Sequence, residues 1–375
     1  MNASPVNSYT EWGPLREIVV GEVDNGWLPR RPEHTDLSYK LFYNDNLKQQ
    51  HHNDVDGPQG EGLRLEHVEP YATREAEERR EDVEAFVALL EGLGVTVRRP
   101  RRLDEVRPVA TSAWSSLSYF AHNVRDQSLI VGDEIIETPP LCRHRYFEND
   151  LLKPLYHEYF KGGARWTVAP RPLMLDESFD KTYVKGARQP EQPGAAGLGF
   201  EMMFDAAQCL RFGTDILMNV STENHRLGAR WLQRHLGDRF TVHVVENFAD
   251  NHVDGSIMPL RPGVLFVNAR KIHGRAHQLP EALQKWDMIT CYDTDDTVYG
   301  EDKLLLASEY ISANVLPLDE ERVVVDGHST KTIRTLEKHG FTPIPVRLRH
   351  SRLYAGGFHC ITLDVRRDEP LETYF

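Results

Sequence analysis

The chain has a repeating pattern in which short β-rich runs alternate with longer amphipathic runs. Two stretches each predict a strand, a helix that packs on a core through one apolar face, and a second strand. These stretches are 15–21, 74–91 and 95–99, and then 216–220, 227–236 and 240–245. The pattern is that of a repeated unit without a domain boundary, so we expect a single domain over residues 1–375.

Three further segments predict β-hairpins, because two apolar runs flank a turn of polar residues or glycine. They are 129–137 around Gly132-Asp133, 256–267 around Arg261-Pro262-Gly263, and 314–325 around Asp319-Glu320-Glu321. Helical stretches are predicted at 143–160 and 330–339, and another strand at 343–348.

Repeated units at wide spacing indicate an α/β architecture that closes on itself. A doubly wound sheet is the competing interpretation, but it requires a glycine-rich phosphate loop that opens a helix. The pair Gly356-Gly357 instead precedes a cysteine. A polar stretch at 34–72, which contains His51 and His52, is expected to be a long surface excursion with solvated histidines.

Composition excludes several classes of function. The net charge of −13 argues against nucleic-acid binding, and the short basic run at 98–102 predicts a solvated strand end. The four cysteines form no CxxC pair, which argues against a zinc ribbon or a disulfide framework. The sequence shows neither a secretory signal nor an apolar run long enough to cross a membrane, so a cytoplasmic protein is expected.

Candidate chemistry is concentrated near the end of the chain. Cys360 follows Gly356 and Gly357, residues that let backbone approach a ligand closely. Two upstream segments, 204–207 and 251–255, add an imidazole and carboxylates. A thiol, an imidazole and carboxylates are the groups that cysteine-based covalent catalysis uses, although a cysteine after glycines is more often a packed thiol.

Taken together, the segments resemble the amidinotransferase family, in the order in which that family carries them. They are Glu11-Trp12-Gly13-Pro14-Leu15, Arg125-Asp126, Ile135-Ile136-Glu137-Thr138-Pro139, Phe204-Asp205-Ala206-Ala207, His252-Val253-Asp254, and Gly356–Cys360 running into 362–367. The resemblance covers nearly the whole chain. It implies the pentein fold, a five-bladed pseudo-symmetric α/β-propeller of ββαβ-type modules.

The resemblance also implies roles for individual residues. Cys360 matches the nucleophile, His252 the general acid/base, and Asp205 the carboxylate that holds this histidine. Asp126 and Asp254 match residues that grip the substrate guanidinium, and Ser308 matches a further substrate contact. Simpler roles stay open for three of them: a helix N-cap for Asp205, a turn residue for Asp126, and a buried hydroxyl for Ser308. Cys142, Cys209 and Cys291 are expected to be structural.

The chain departs from the family pattern at positions that border the substrate. The family arginine that binds the donor carboxylate aligns with Lys271, while Arg270 stands one position earlier, and either cation could bind a carboxylate. Asn251 precedes His252, and Ala355 replaces a glycine that is frequent beside the nucleophile. The acceptor can therefore differ from glycine.

The sequence thus predicts ping-pong transfer of the amidino group of L-arginine to an acceptor amine, through a covalent amidino-cysteine and with release of ornithine. We expect neither a metal nor an organic cofactor, and no nucleic-acid or membrane partner; a homodimer is left open. Two alternatives remain: a guanidine-group hydrolase of the same fold, in which water attacks the intermediate, and a non-catalytic propeller that binds another protein.

Overall fold

The computed structural model describes residues 4–31, 34, 38, 63–176, 201–249, 251–300 and 303–375. Most of the stretch expected as a surface excursion, with His51 and His52, lies outside the described residues. Its described end is structured in part, since Leu65–His67 forms a turn of 3₁₀-helix and Val68–Pro70 forms a strand.

The described residues form strands and helices in a mixed α/β arrangement. The strands are β1 (Leu15–Val20), β2 (Trp27–Pro29), β3 (Val68–Pro70), β4 (Thr96–Arg98), β5 (Pro108–Ala110), β6 (Ser115–Leu117), β7 (Ser128–Val131), β8 (Glu134–Glu137), β9 (Arg165–Val168), β10 (Cys209–Phe212), β11 (Asp215–Val220), β12 (Thr241–Glu246), β13 (Ile257–Arg261), β14 (Val264–Asn268), β15 (Asp287–Cys291), β16 (Leu316–Pro317), β17 (Arg322–Asp326), β18 (Thr342–Val346) and β19 (Thr362–Arg367). The α-helices are α1 (Thr73–Gly92), α2 (Lys153–Lys161), α3 (Glu223–Leu236), α4 (Ala269–Ile272), α5 (Glu281–Gln284) and α6 (Thr330–Lys338).

Five of the sheets in the described residues have three strands and share one topology. A first strand pairs antiparallel with a second, the chain passes through helix, and a third strand joins parallel to the second. In chain order of the second strand, the five sheets are β19-β1-β4, β7-β8-β9, β10-β11-β12, β13-β14-β15 and β16-β17-β18. Separate small sheets of this kind contradict the doubly wound alternative and confirm the repeated unit. In the first sheet, β19 near the end of the chain pairs with β1 near its start.

The predicted strands and hairpins are confirmed within a few residues, but two helix predictions need correction. The predicted helix 143–160 is wrong over its first half, which forms two 3₁₀ turns, Arg143–Arg145 and Glu148–Leu151; α2 begins only at Lys153, with a proline in its first turn. Helix α3 begins earlier than predicted, at Glu223, because the Thr222 side chain accepts a hydrogen bond from the His225 amide and caps the helix.

In strands β7 and β17, successive buried side chains belong to different hydrophobic cores. In β7, Leu129 and Val131 join a core shared with β11, whereas Ile130 joins a core shared with β1. In β17, Val324 packs in the core around β1, and its neighbours Val323 and Val325 pack in the core around β14. Successive side chains of a strand point to opposite faces, so β7 and β17 each lie between two cores.

Other features of the described chain bear on possible partners. The basic run at 98–102 is a paired surface segment, as expected: Arg98 pairs with Glu158, and Arg99 Nη1 lies 2.8 Å from Glu84 Oε1. Among the described residues, no helix is both long and apolar enough to cross a membrane.

Candidate active site

The candidate site residues lie on five loops. Each loop leads into the first strand of a three-stranded sheet. The residues are Asp126, Asp205, His252 with Asp254, Asn314 and Cys360, which precede β7, β10, β13, β16 and β19 respectively. All of them except Asp205 line one pocket, and Asp205 contacts His252. Because the five sheets share one topology, equivalent loops converge although they are far apart in sequence.

The loop that contains Cys360 is packed too closely to accept a side chain at Gly356. A Cβ at Gly356 would lie 2.4 Å from Asn123 Oδ1 and 2.7 Å from the Cβ of Cys360, too close for any side chain. Asn314 Oδ1 accepts hydrogen bonds from the amides of His359 and Cys360, at 3.0 and 3.1 Å. The backbone at the nucleophile candidate is therefore held by the side chain of Asn314, in the loop before β16.

The thiol of Cys360 is buried among polar partners. Its Sγ donates to Asp254 Oδ2 at 3.3 Å and accepts from Asn314 Nδ2 at 3.2 Å. Burial raises the pKa of Cys360 well above its ordinary value, and the charges of Asp254 and Asp126 raise it further. The resting thiol is consequently protonated, with its hydrogen directed at Asp254.

His252 and Asp205 form a hydrogen-bonded pair, with 2.9 Å between Nε2 and Oδ2. Gln127 Nε2 donates to the other oxygen of Asp205 at 3.0 Å, which fixes the carboxylate. Burial disfavours the imidazolium, but the negative charges of Asp126 and Asp205 and the hydrogen bond to Asp205 outweigh it, and the pKa of His252 rises to about 9. Asp205 also caps the 3₁₀ turn Ala206–Gln208, so its structural role and its contact with the histidine coexist.

Asp126 and Asp254 are buried, and each has one oxygen that accepts a hydrogen bond and one that accepts none, although Asp126 Oδ1 lies 3.7 Å from His252 Nδ1 as an ion pair. Arg145 Nη1 donates to Asp126 Oδ2 at 2.6 Å, and His359 Nδ1 donates to Asp254 Oδ2 at 2.8 Å. The Oδ1 atoms of both carboxylates are buried and accept no hydrogen bond from the described residues. Since a buried acceptor without a partner is costly, two such oxygens in one pocket indicate a ligand with N–H donors.

The remaining predicted substrate contacts differ in whether they line the pocket. Ser308 and Lys271 line it, and Ser308 Oγ also accepts from the Tyr310 amide at 3.2 Å. Arg270 is exposed, and its guanidinium carbon lies 4.4 Å from the centroid of the Tyr310 ring. Of the two cations that the sequence could not separate, Lys271 is the one that lines the pocket.

Sequence reasoning missed Asn314, Arg145 and His359 as members of the site. Asn314 stood in the sequence only as the start of a hairpin, and yet it precedes a first strand just as the predicted site residues do. This shared position just before the first strand of a repeated unit was the signal that could have identified Asn314. Arg145 had no such signal, because it reaches Asp126 from a 3₁₀ turn that was predicted as helix.

Within the described part of the chain, neither the other cysteines nor the metal-ligating side chains form a second site. Cys142, Cys209 and Cys291 are buried and free, and burial raises the pKa of Cys209 and Cys291. The described residues contain no group of three or more histidine, cysteine, aspartate or glutamate side chains arranged to hold a metal ion.

Comparison with known proteins identifies relatives over almost the full length of the chain. It is 38% identical over 372 residues to inosamine-phosphate amidinotransferase 1 of Streptomyces glaucescens, with 99% of each chain covered. It is 36% identical to the L-arginine:L-lysine amidinotransferase of Pseudomonas savastanoi pv. phaseolicola, covering 100% of this chain and 98% of the relative. It is 35% identical to the mitochondrial glycine amidinotransferase of Xenopus tropicalis, covering 99% and 85%. A scan against protein-family models found no match.

Solved structures agree with these relatives. The inosamine-phosphate amidinotransferase of Streptomyces griseus superposes with a TM-score of 0.86 at 37% identity, covering 99% of both chains. A dimethylarginine dimethylaminohydrolase superposes with a TM-score of 0.53 at 14% identity, covering 93% of this chain and 99% of the other, a likeness that shows the fold alone.

The fold is therefore that of the penteins, and the protein is a transferase of amidino groups. The chain belongs to the amidinotransferase family. The predicted class of enzyme is confirmed, and the alternatives of a guanidine-group hydrolase and of a non-catalytic binding propeller are set aside.

Proposed function

We propose that the enzyme takes the amidino group of L-arginine onto Cys360 and passes it to an acceptor amine, in two half-reactions that share one pocket. The observation that carries this proposal is the Cys360 thiol, which lies in the same pocket as His252 and two buried carboxylates that each have an oxygen without a hydrogen bond from the described residues. A guanidinium is a planar cation with five N–H donors, which suits carboxylates that accept from two sides.

Asp126 and Asp254 bind the guanidinium through their Oδ1 atoms in this scheme. The bound cation offsets the two negative charges that hold the pKa of Cys360 high, so that substrate binding favours the thiolate. The Asn314 amide donates to Sγ and stabilises the thiolate further. The thiol proton passes through Asp254 Oδ2, the acceptor it already contacts, to solvent, so that Asp254 is ionised again when it binds the guanidinium.

The thiolate then attacks the guanidinium carbon and forms a neutral tetrahedral adduct. His252, which is protonated at neutral pH because its pKa is about 9, gives its proton to the departing nitrogen. The C–N bond breaks, ornithine leaves as an amine, and a cationic amidino group stays on sulfur. In the second half-reaction a neutral acceptor amine attacks that carbon, His252 takes the amine proton, and the C–S bond breaks to regenerate the thiolate.

The acceptor enters the pocket that ornithine has left, so the same lining selects both substrates. Lys271 in the lining favours substrates that carry an anionic group, for the donor its α-carboxylate. The Asn251 side chain is buried in the lining, and neither its Oδ1 nor its Nδ2 has a hydrogen-bond partner in the described residues. We propose that Asn251 binds a polar group of the acceptor. Glycine, lysine and inosamine phosphate are the amines that appear in the names of the relatives.

The decisive test is the covalent intermediate. Incubation with arginine and without an acceptor should add one amidino group to the peptide that contains Cys360 and release one equivalent of ornithine. Subsequent addition of a panel of amines, with and without an acidic group, should discharge the label onto the true acceptor. Labelling of Cys142, Cys209 or Cys291 instead would contradict the assignment of the nucleophile.

We also propose that the five sheets close into a five-bladed propeller formed by one domain over residues 1–375. The shared cores support this arrangement, because they link the sheets in a cycle: the first with the second, the second with the third, the third with the fourth and fifth, and the fifth with the first. The cytoplasmic location and the homodimer stay predictions, and size-exclusion chromatography with light scattering would measure the assembly.

A further inference from the structure

His359, the residue before the nucleophile, is buried between two carboxylates. Its Nδ1 lies 2.8 Å from Asp254 Oδ2, and its Nε2 lies 3.2 Å from Glu11 Oε2. All three side chains are at most 2% exposed. The imidazole therefore bridges the carboxylate that contacts the thiol to a glutamate deep in the protein.

Both carboxylates at this bridge are acceptors. Arg211 donates to both oxygens of Glu11, at 2.9 Å from Nε and 2.6 Å from Nη2, so Glu11 is ionised. Asp254 Oδ2 accepts the thiol hydrogen of Cys360. A neutral imidazole has one N–H donor and would turn a lone pair toward one of the two carboxylates. Hydrogen bonds to both carboxylates at once call for an N–H on each ring nitrogen.

We propose that His359 is a positioning residue: a buried cation that holds Asp254 ionised and oriented, so that Oδ2 faces the thiol and Oδ1 faces the substrate guanidinium. This inference rests on the proposed role of Asp254 in binding the guanidinium. It assigns to His359 a function that acts through Asp254, without contact with the substrate.

The electrostatics of Asp254 agree with this role. Burial raises the pKa of Asp254, but the hydrogen bond and the positive charge of His359 outweigh burial and lower it, with a further contribution from His252. Without the cation, the desolvation of a fully buried carboxyl would dominate and favour its neutral form. A protonated Asp254 would lose the charge that attracts the guanidinium.

The far side of the bridge is a rigid ion-pair cluster at the meeting point of several sheets. Asp364 Oδ2 lies 2.6 Å from Arg211 Nη2 and 2.7 Å from Arg367 Nε, and Arg125 pairs with the same carboxylate through Oδ1. These groups are at most 4% exposed. Glu11 is thus held by neighbours that do not face solvent, and it gives His359 a fixed second partner. The charged and titratable groups that face His359 or its partners are Glu11, Asp254, Arg211, Asp364, Arg125, His252 and Cys360.

The test compares His359→Asn with the parent enzyme in the first half-reaction. An asparagine side chain offers an N–H near the position of Nδ1 and keeps a donor for Asp254, but it removes the charge and the contact with Glu11. We expect amidination of Cys360 to need at least tenfold more arginine for its half-maximal rate. We also expect the acid limb of the rate–pH profile to move to higher pH, because Asp254 then protonates more readily.

A matched control separates positioning from general stability. His235 also pairs with a buried carboxylate, at 2.8 Å from Glu134, and it lies outside the pocket lining. His235→Asn should lower thermal stability comparably and leave both the arginine dependence and the pH profile unchanged. A His359→Asn enzyme that is less stable but has the parent's arginine dependence and acid limb would overturn the proposal and leave His359 a structural residue.

A second measurement needs no variant. Nitrogen-15 NMR of the resting wild-type enzyme should show both ring nitrogens of His359 protonated, and a neutral tautomer would contradict the proposal even if His359→Asn failed to fold. The two proposals fail differently. If wild-type enzyme does not label Cys360, the proposed function is wrong, whereas labelling that His359→Asn leaves unaltered refutes only the role of His359.

Discussion

The replacement Asp205→Asn is the most informative perturbation of the proposed proton transfer. Gln127 donates to Asp205 Oδ1, so an asparagine keeps its carbonyl oxygen at that position. Its amide nitrogen then faces His252 Nε2, where the carboxylate oxygen had accepted a hydrogen bond at 2.9 Å. Two N–H donors would face each other if His252 stayed protonated, so the variant favours the neutral imidazole.

The size of the effect follows from the bond that is lost. A hydrogen bond to a charged partner contributes ~1.5–3 kcal/mol, and one pKa unit corresponds to ~1.4 kcal/mol. The pKa of His252, about 9 in the parent, should fall by ~1–2 units. Since the protonated imidazole is the proposed acid that releases ornithine, the alkaline limb of the first half-reaction should move down in pH by the same amount.

The assay is rapid mixing with saturating arginine and no acceptor, followed by acid quench and mass quantification of amidinated Cys360 across pH. The ratio of variant to parent rates cancels the titration of the thiol, which the two enzymes share. That ratio should fall steadily between ~7 and 9, the interval between the two pKa values of His252. Asp215→Asn is the matched control, because Asp215 pairs with His243 at 2.7 Å outside the pocket lining, and its profile should match the parent. A constant ratio for Asp205→Asn across this interval would refute the acid role of His252.

Other predictions test binding, charge and backbone conformation. Asp126→Asn should slow amidination of Cys360 at least tenfold, since a charge-assisted hydrogen bond is worth ~1.5–3 kcal/mol; a parent rate would show that Asp126 does not grip the guanidinium. Lys271→Met should raise the Michaelis constant for arginine about tenfold or more through loss of a charged contact, whereas Arg270→Met should not, and equal effects would contradict the assignment of the carboxylate site. Ala355 has a φ of 59°, a left-handed conformation that costs a residue with a Cβ ~1–2 kcal/mol. Ala355→Gly should therefore raise the free energy of unfolding by ~0.5–1 kcal/mol after the entropy of glycine is subtracted; Ala113→Gly, at an exposed position without positive φ, should lower it in the same denaturant titration.

Local pattern in the sequence predicted much of the fold. Strand and helix periodicity depends on neighbours along the chain, and so β1, α1, the β7–β8 hairpin and α6 were predicted within a few residues. Strands such as β9 lacked a local signal, because Arg165–Val168 is largely exposed and has no alternating apolar face. The helix predicted over residues 143–160 was wrong at its start. There the buried side chains of Arg145 and Glu148 form an ion pair, and Arg145 also contacts the candidate site.

The sequence also pointed to the proposed reacting groups, since Cys360, His252 and three aspartates stand in segments that resemble family motifs. The tertiary structure decided which of their atoms come into contact. Asn314 reaches Cys360 Sγ across 46 positions, and Glu11 reaches His359 across 348. Lys271 and Arg270 are adjacent on α4, and a step of one residue turns a helical side chain by roughly 100°. That rotation relative to the pocket is set by how α4 packs. The identities of the two residues therefore could not decide which of them lines the pocket.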